Sequence, residues 1–289
     1  MTTTAQWVEG ARPRTLPAAV APVLVGTGAA AASFDAGRAL LALVVSLALQ
    51  VGVNYANDYS DGVRGTDADR VGPLRLVGSG TTPAGQVKRA ALLSFGVAAL
   101  AGLVLAAVTT WALLVVGAVA IAAAWAYTGT SKPYGYRGLG EVSVFVFFGL
   151  VAVVGTAYVQ AEDVLGRAVL GGVAMGALAC AILVVNNLRD IPTDVDAGKR
   201  TLAVVLGDAR TRTLYAALVG LAFLAVVVLA AAATPWALLG LLALPLAVPP
   251  VRLVLGDTTG RALVPVLGET GKLQLALSVL LGLGLVLGR

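Results

Sequence analysis

The strongest polar side chains of this 289-residue chain collect in two short segments. Residues 54–69 read NYANDYSDGVRGTDAD and residues 186–200 read NNLRDIPTDVDAGKR. Together they hold all four asparagines of the chain and seven of its eleven aspartates. Packing does not explain such clustering in a sequence that is 58% hydrophobic and only 12% charged. Carboxylate and carboxamide oxygens are the ligands that hard cations prefer, so the two segments form the candidate site.

Helical geometry makes each polar segment one-sided. On a helix the first polar set spans an arc of about 100° and the second an arc of about 60°. The first set is Asn54, Asn57, Asp58 and Asp61, and the second is Asn187, Asp190 and Asp194. Carboxylates this close repel each other unless they are paired or bind a cation. Mg²⁺, with Mn²⁺ as the alternative, takes one or two carboxylates together with substrate phosphates, so two opposed faces of this kind suit a diphosphate.

Other chemistries fit these residues less well. The chain has no His, which excludes imidazole catalysis and His metal ligands, and Cys180 is its only cysteine. A calcium loop of the EF-hand type fails on spacing and lacks the terminal Glu. Helix capping by solvated aspartates and an ion pathway across a membrane remain as alternatives, because intramembrane carboxylates also mark transporters.

The composition places these segments in a polytopic membrane protein. Water-soluble domains carry about 25% charged residues, roughly twice the fraction found here. A bilayer helix needs about 20 mostly apolar residues, and uncharged runs of that length or double that length are frequent in this chain. They cover residues 15–34, 39–57, 90–131, 142–161, 168–188, 213–251 and 273–288, with breaks near 109–111 and 234–236. The sequence therefore predicts an all-α bundle of about nine transmembrane helices in a single domain, 1–289, that encloses a cavity open to the cytoplasmic side.

The distribution of Lys and Arg predicts the orientation of this bundle. With nine spans, 17 of the 20 basic residues fall on the side of the N-terminus, and Arg38, Arg167 and Arg289 fall on the other. By the positive-inside rule the N-terminus is cytoplasmic and the C-terminus is outside, in the cell (plasma) membrane. The net charge of +5 then needs no nucleic acid. Both polar segments follow spans of the same direction, at 54–69 and 186–200, which suggests two similar halves.

Both segments resemble the aspartate-rich motifs of the UbiA superfamily of membrane prenyltransferases. The resemblance rests on Asn57-Asp58-x-x-Asp61 with Asp67, and on Asn187-x-x-Asp190-x-x-x-Asp194. Gly65 stands where many members have Asp. Four further segments resemble the menaquinone-pathway branch, which prenylates 1,4-dihydroxy-2-naphthoate, or the superfamily more widely. They are residues 12–17 (RPRTLP), 69–75 (DRVGPLR), 134–141 (YGYRGLGE) and 198–202 (GKRTL).

The resemblance implies an activity and a set of site residues. A polyprenyl chain passes from its diphosphate to 1,4-dihydroxy-2-naphthoate with loss of CO₂ and diphosphate, which gives a demethylmenaquinone. The expected metal ligands are Asp58, Asp61, Asp67, Asp190 and Asp194, and all of these except Asp67 are expected to be catalytic together with Lys132. Substrate-binding roles are expected for Asn57, Asn187, Arg64, Arg75, Tyr134, Tyr136, Arg137 and Lys199.

Several alternatives stay open at this point. A UbiA-type enzyme could use a different acceptor, such as a hydroxybenzoate, a haem, a chlorophyll precursor or a sugar phosphate, and an ion-coupled transporter is the non-enzymatic alternative. Lys132 and Arg137 would serve the positive-inside rule in any case. Arg12 and Arg14, just before the first span, are interpreted as topology anchors, with substrate contact as the alternative. Prenyl chain length, the group that accepts the phenol proton and the oligomeric state are not readable from the sequence.

Overall fold

The computed structural model describes residues 2–65 and 74–289, and within these residues every regular element is helical. Three elements are short: α1 (Thr4–Gly10), α2 (Pro17–Ala29) and α8 (Leu202–Leu206). The others are α3 (Ala36–Arg64), α4 (Ala84–Val108), α5 (Ala112–Ala126), α6 (Gly140–Ala161), α7 (Gly166–Asp196), α9 (Asp208–Ala232), α10 (Pro235–Leu255) and α11 (Gly260–Leu287). Seven of these are long and apolar enough to cross a bilayer, and the chain is a multi-pass membrane protein.

Both double-length uncharged runs break where the sequence predicts. α4 ends at Val108 and α5 begins at Ala112, while α9 ends at Ala232 and α10 begins at Pro235. The second break has a clear local cause. Pro235 occupies the first turn of α10, where its missing N–H is no loss, and the Thr234 hydroxyl accepts a hydrogen bond from the Trp236 N–H.

The number of membrane spans remains a prediction. Seven helices meet the length criterion, and the other two predicted spans correspond to α2 and α5, with 13 and 15 residues. At 1.5 Å per residue these two are about 20 and 22 Å long, against a hydrocarbon thickness of about 30 Å. Short 3₁₀ turns, Pro13–Thr15 and Ala31–Ser33, extend α2 at both ends.

The last helix begins earlier than the uncharged run predicts. The α-helical part of α11 runs from Val264 to Leu287, so Glu269 and Lys272 lie inside it rather than before it. The uncharged run begins only after Lys272. Lys272 is exposed, and a helix can carry a charge at such a position at little cost, so the helix begins before the run does.

Small residues allow α6 and α7 to pack closely beside the cavity. A Cβ atom added to Gly149 would lie 2.6 Å from the carbonyl oxygen of Gly172 and 2.6 Å from the Cα of Gly176. Only glycine permits this approach, as is common between membrane helices. Gly149 also lies in a π-helical turn, Phe145–Val151, that interrupts α6. Such turns are rare and occur frequently at functional sites.

Candidate active site

A single cavity of about 390 Å³ is lined by side chains from both polar segments. Its polar wall includes Asn57 and Asp61 from α3, Asn187, Asp190 and Asp194 from α7, and Arg75, Tyr136 and Lys199 from the connections. Its apolar wall includes Val45, Leu49, Val53, Leu113, Phe147, Phe148, Val151 and Ile182. The two polar faces therefore meet at one cavity, as predicted, and the same cavity continues between apolar helices.

Asp61 forms the centre of the first polar face. Its carboxylate accepts a hydrogen bond from the Tyr136 hydroxyl. It also lies 3.8 Å from the guanidinium of Arg75 and 3.7 Å from the ammonium of Lys199. Lys199 belongs to the second polar segment, so its contact with Asp61 joins the two segments directly.

Asp58 has a different position from Asp61. It is fully buried and is not among the residues that line the cavity. Its two oxygens accept hydrogen bonds from the backbone N–H groups of Leu76 and Val77, at 2.8 and 3.0 Å. These contacts hold the two residues that directly follow Arg75. They favour a role for Asp58 in positioning Arg75 over a role in metal binding. Asp67, the remaining acidic residue predicted from the first motif, lies outside the described residues.

The second polar face lies on α7. Asp190 forms two hydrogen bonds of 2.6 Å with the guanidinium of Arg189, and Asp194 accepts a hydrogen bond of 3.3 Å from the Thr201 hydroxyl. Pro192 stands between the two aspartates inside the helix and removes one backbone donor. The Thr193 hydroxyl donates to the carbonyl of Asp190 at 3.0 Å. Both carboxylates thus lie on one helical face, as the spacing predicts.

Lys132, which was predicted to be catalytic, and Arg137, which was predicted to bind substrate, lie outside this cavity. Lys132 and Arg137 are exposed and line a separate surface depression with Arg200. Tyr136 lines both the cavity and the depression and so separates them. The position of Lys132 therefore does not support a catalytic role at the cavity. Lys132 and Tyr136 are close in sequence, but only Tyr136 lines the cavity.

Arg64, at the end of α3, and Tyr134, between α5 and α6, both use their polar groups in contacts that stabilise the structure. The Arg64 guanidinium donates to the backbone carbonyls of Thr128 and Thr130. The Tyr134 hydroxyl donates to the Ala123 carbonyl and contacts the Ser143 hydroxyl, both at 2.8 Å. Burial raises the pKa of Tyr134, and the hydrogen bond to Ser143 lowers it in part. Of these two, only Tyr134 lines the cavity.

Two cations lie close to the Tyr136 ring beside Asp61. The Lys199 ammonium is 4.7 Å and the Arg64 guanidinium 5.6 Å from the ring centroid. The backbone carbonyl of Tyr136 also accepts a hydrogen bond of 3.0 Å from the Arg200 N–H. Tyr136 therefore connects the segment after α5 to both polar segments.

A polar network along α3 extends the candidate site from Asn54 to Gln50 and Thr15, which were not predicted as part of it. The amide of Gln50 donates to the Thr15 hydroxyl at 2.9 Å, and the amide of Asn54 donates to Thr15 and to the Ala11 carbonyl. All of these side chains except Ala11 line the cavity, and so does Arg12. The spacing of Gln50 four residues before Asn54 is the sequence signal that indicates the shared face.

Arg12 stands out in this network for its backbone and its charge. Its φ is 55°, a left-handed conformation that costs a non-glycine residue roughly 1–2 kcal/mol. The carbonyl of Arg12 accepts hydrogen bonds of 2.9 Å from both the N–H and the hydroxyl of Thr15. Its Nη2 atom is buried and has no hydrogen-bond partner among the residues that the structure describes. A strained backbone therefore places a guanidinium donor at the cavity wall.

The donor set of the cavity fits a divalent cation bound together with phosphate. Within residues 2–65 and 74–289, no group of three or more acidic side chains is close enough to enclose a metal by itself. Asp61 lies on one face and Asp190 and Asp194 on the other, all of them oxygen ligands. Mg²⁺ is commonly held by one or two carboxylates and completed by substrate phosphates and water, which matches this arrangement.

The fold and the cavity define a membrane-embedded helical protein whose cavity has one wall of carboxylates, carboxamides and cations and another wall of apolar side chains. The sequence matches the UbiA prenyltransferase family over residues 19–263. The chain belongs to this family. It is 56% identical over 291 residues to the 1,4-dihydroxy-2-naphthoate octaprenyltransferase of Mycobacterium tuberculosis, with 100% of this chain and 99% of the relative covered.

More distant relatives agree with this membership. The 1,4-dihydroxy-2-naphthoate octaprenyltransferase of Escherichia coli is 41% identical, with 99% of this chain and 96% of the relative covered. A solved UbiA homologue from Archaeoglobus fulgidus, bound to GPP and Mg²⁺, superposes with a TM-score of 0.70 at 15% identity, covering 97% of this chain and 99% of the homologue. At that identity the likeness shows the fold alone.

Proposed function

We propose that this protein transfers a polyprenyl chain from polyprenyl diphosphate to 1,4-dihydroxy-2-naphthoate, with release of diphosphate and CO₂, in menaquinone biosynthesis. The observation that carries the proposal is the single cavity, in which an oxygen-rich wall flanked by cations continues into an apolar chamber. This is the shape that a diphosphate with a hydrocarbon tail requires. The 56% identical relative named for this reaction supports the choice of acceptor.

The polar wall binds the diphosphate. Arg75 and Lys199 reduce the charge of the phosphate oxygens, and both already lie within 4 Å of Asp61. Asp61, Asp190, Asp194 and the Asn187 carbonyl would hold Mg²⁺, while Mn²⁺ offers similar oxygen coordination. Bound there, the cation neutralises charge that develops on the departing diphosphate. The protein residues keep the leaving group in place as the allylic C–O bond breaks.

The apolar wall protects the reacting carbon from water. Phe147, Phe148 and Val151 come from the π-helical turn of α6 and face the same cavity as the polar wall. The electron pair of the broken C–O bond leaves with the diphosphate, and the electron-rich ring supplies the pair for the new C–C bond. Water would otherwise capture the allylic cation, so exclusion of water is the contribution of these side chains. Because decarboxylation completes the substitution without a redox change, the product leaves as the quinol form.

Arg12 is the residue that we assign to the acceptor carboxylate. The Ala11 carbonyl is hydrogen-bonded to Asn54, so Arg12 lies level with that residue of α3. Asn54 and Asp61 are seven residues apart, which is about 10 Å along a helix. A naphthoate whose carboxylate is held at Arg12 can therefore place its ring between the Arg12 side chain and the diphosphate.

The site also favours a cytoplasmic entrance in the cell membrane. The 17-to-3 distribution of basic residues supports a cytoplasmic N-terminus and an outside C-terminus under the proposed nine spans. A diphosphate and a naphthoate are both anionic, and an entrance on the cytoplasmic side gives them access without crossing the bilayer.

The test is a membrane assay with a polyprenyl diphosphate and 1,4-dihydroxy-2-naphthoate, with and without Mg²⁺. Asp61→Asn and Asp190→Asn are expected to abolish Mg²⁺-dependent formation of the prenylated naphthoquinol. Asp163→Asn, at an exposed aspartate outside the cavity, is the matched control and is expected to retain activity. Prenylation of 4-hydroxybenzoate in place of the naphthoate would overturn the acceptor. No prenylation of either aromatic would favour an ion-coupled transporter.

A further inference from the structure

A buried carboxylate lies directly behind the cavity wall at the second polar segment. Glu141 is 8% exposed and stands in the first turn of α6. Its Oε1 accepts a hydrogen bond of 3.0 Å from Nδ2 of Asn187. Its Oε2 is buried and has no hydrogen-bond partner among the described residues. Asn187 lines the cavity and Glu141 does not, so the carboxylate contacts a residue of the cavity wall from behind.

Folding alone does not account for this carboxylate. Burial of a carboxyl group with an unsatisfied oxygen is unfavourable, and an apolar side chain would fill the same space without that cost. The Cys180 thiol donates a hydrogen bond of 3.0 Å to the backbone carbonyl of Glu141. This contact does not involve the Glu141 side chain and would persist after its substitution. The side chain has one hydrogen-bonded neighbour in the described chain, and that neighbour is a site residue.

We propose that Glu141 is a positioning residue that turns the carbonyl oxygen of Asn187 into the cavity, where this oxygen is a ligand for the divalent cation. A carboxamide has its donor on one edge and its acceptor on the other. A carboxylate oxygen accepts, so it holds the donor edge of Asn187 behind the wall. The acceptor edge is then left for the cavity. This inference rests on the proposed function, in which a cation binds at this wall.

The first polar segment has the opposite arrangement. The Oδ1 atom of Asn57 accepts a hydrogen bond of 2.8 Å from the Thr128 hydroxyl, which leaves its Nδ2 donor edge for the cavity. A donor suits a phosphate oxygen, whereas an acceptor suits a cation. The two asparagines occupy matching places in the two segments but are turned in opposite directions. Both orienting residues, Thr128 and Glu141, belong to the connection between α5 and α6 and its first helical turn.

The test measures metal binding without turnover. Purified protein in detergent is titrated with Mn²⁺ in the presence of inorganic diphosphate, and bound Mn²⁺ is followed by electron paramagnetic resonance. Loss of a residue that orients a metal ligand typically weakens metal affinity 10- to 100-fold. Glu141→Leu is expected to show a loss in this range. Glu141→Gln is expected to show a smaller loss, because an amide can face Asn187 with either edge.

Two controls separate positioning from general damage. Glu269→Gln changes another membrane-helix glutamate with a buried, unpartnered Oε2 outside the cavity lining, and it is expected to leave Mn²⁺ affinity within twofold. In an Asn187→Leu background, Glu141→Leu is expected to add less than a twofold change, because its effect passes through Asn187. Thermal unfolding identifies any variant that has lost its fold, and Glu141→Gln, which keeps the side-chain volume, then carries the comparison.

Unchanged Mn²⁺ affinity in Glu141→Leu would overturn the inference, and so would a full additional loss in the Asn187→Leu background. Failure of the proposed function gives a different result. In that case the wild-type protein binds Mn²⁺ and diphosphate with the predicted dependence on Glu141 but forms no prenylated naphthoate.

Discussion

Replacement of Arg12 by Gln is expected to weaken binding of the naphthoate while leaving binding of the prenyl diphosphate nearly unchanged. Arg12 lines the cavity at the level of Asn54, about 10 Å along α3 from Asp61, whereas Arg75 and Lys199 are within 4 Å of Asp61. The two groups of cations therefore serve different anions. Gln preserves the polar character of the side chain but removes its charge and its forked donor geometry.

The structure sets the size of the effect. Arg12 lines the cavity, so a carboxylate bound against it gains a charge-assisted hydrogen bond from its guanidinium. Hydrogen bonds to charged groups contribute about 1.5–3 kcal/mol. Since about 1.4 kcal/mol corresponds to a factor of ten, KM for the naphthoate is expected to rise roughly 10- to 150-fold. KM for the prenyl diphosphate is expected to change less than about threefold on the same scale.

The assay is steady-state prenylation with each substrate varied in turn, supported by equilibrium binding of the naphthoate to the purified protein. Arg14→Gln is the matched control, because Arg14 is two residues away, carries the same charge and is exposed. A second comparison uses 1,4-dihydroxynaphthalene, which lacks the carboxylate. Wild-type protein and Arg12→Gln are expected to bind it equally. A similar rise in KM for both substrates, or an equal effect of Arg14→Gln, would refute the assignment.

Three further predictions follow from the positions of single side chains. Asp58→Asn is expected to destabilise the protein by about 1–3 kcal/mol, measured by thermal unfolding in detergent, because Asn keeps a single acceptor oxygen and either the Leu76 or the Val77 N–H loses its acceptor. Asp61→Asn is expected to abolish activity with a smaller change in stability. Lys199→Gln is expected to raise KM for the prenyl diphosphate at least tenfold, because Lys199 lines the cavity. Lys132→Gln is expected to raise it less than threefold, because Lys132 lines the separate surface depression. Equal effects of the two substitutions would indicate that Lys132 also binds the diphosphate. A membrane-impermeant maleimide on intact cells is expected to label Asp163→Cys, which lies outside under the nine predicted spans, but not Ser131→Cys, which lies on the cytoplasmic side. The native Cys180 is buried and is expected not to react. The reverse labelling pattern would show the opposite topology.

Much of the architecture could be predicted because a bilayer imposes simple rules. Length, lack of charge and the Thr-Pro break predicted both helical hairpins, and the 3.6-residue period predicted that Asp190 and Asp194 share a face. The start of α11 could not be predicted in the same way. A charge at an exposed helical position, such as Lys272, is tolerated, so it ends an uncharged run without ending the helix.

The site was harder to predict where neighbouring residues in a motif point in different directions. Asp58 and Asp61 share an arc of the helical wheel, yet Asp58 binds backbone amides and Asp61 faces the cavity. Lys132 and Tyr136 lie in one connection, yet only Tyr136 reaches the cavity. Spacing defines which face of a helix a residue occupies, but which element packs against that face depends on tertiary contacts. The cavity position of Gln50 could have been predicted from the sequence, because Gln50 is a polar side chain one helical turn before Asn54 in an apolar run.

The connection between α5 and α6 explains how two distant segments form one site. Thr128 binds Asn57, Tyr136 binds Asp61, and Glu141 binds Asn187. These contacts reach both polar faces from within 14 residues of chain, so the relative position of α3 and α7 at the cavity depends on this short segment. A substitution of Glu141 alters only the α7 face, through Asn187, and a substitution of Thr128 or Tyr136 alters the α3 face, whereas a change in the length of the segment alters both faces together. Coupled damage to both faces is therefore the expected signature of a changed segment length, and damage to one face is the signature of a single side-chain substitution.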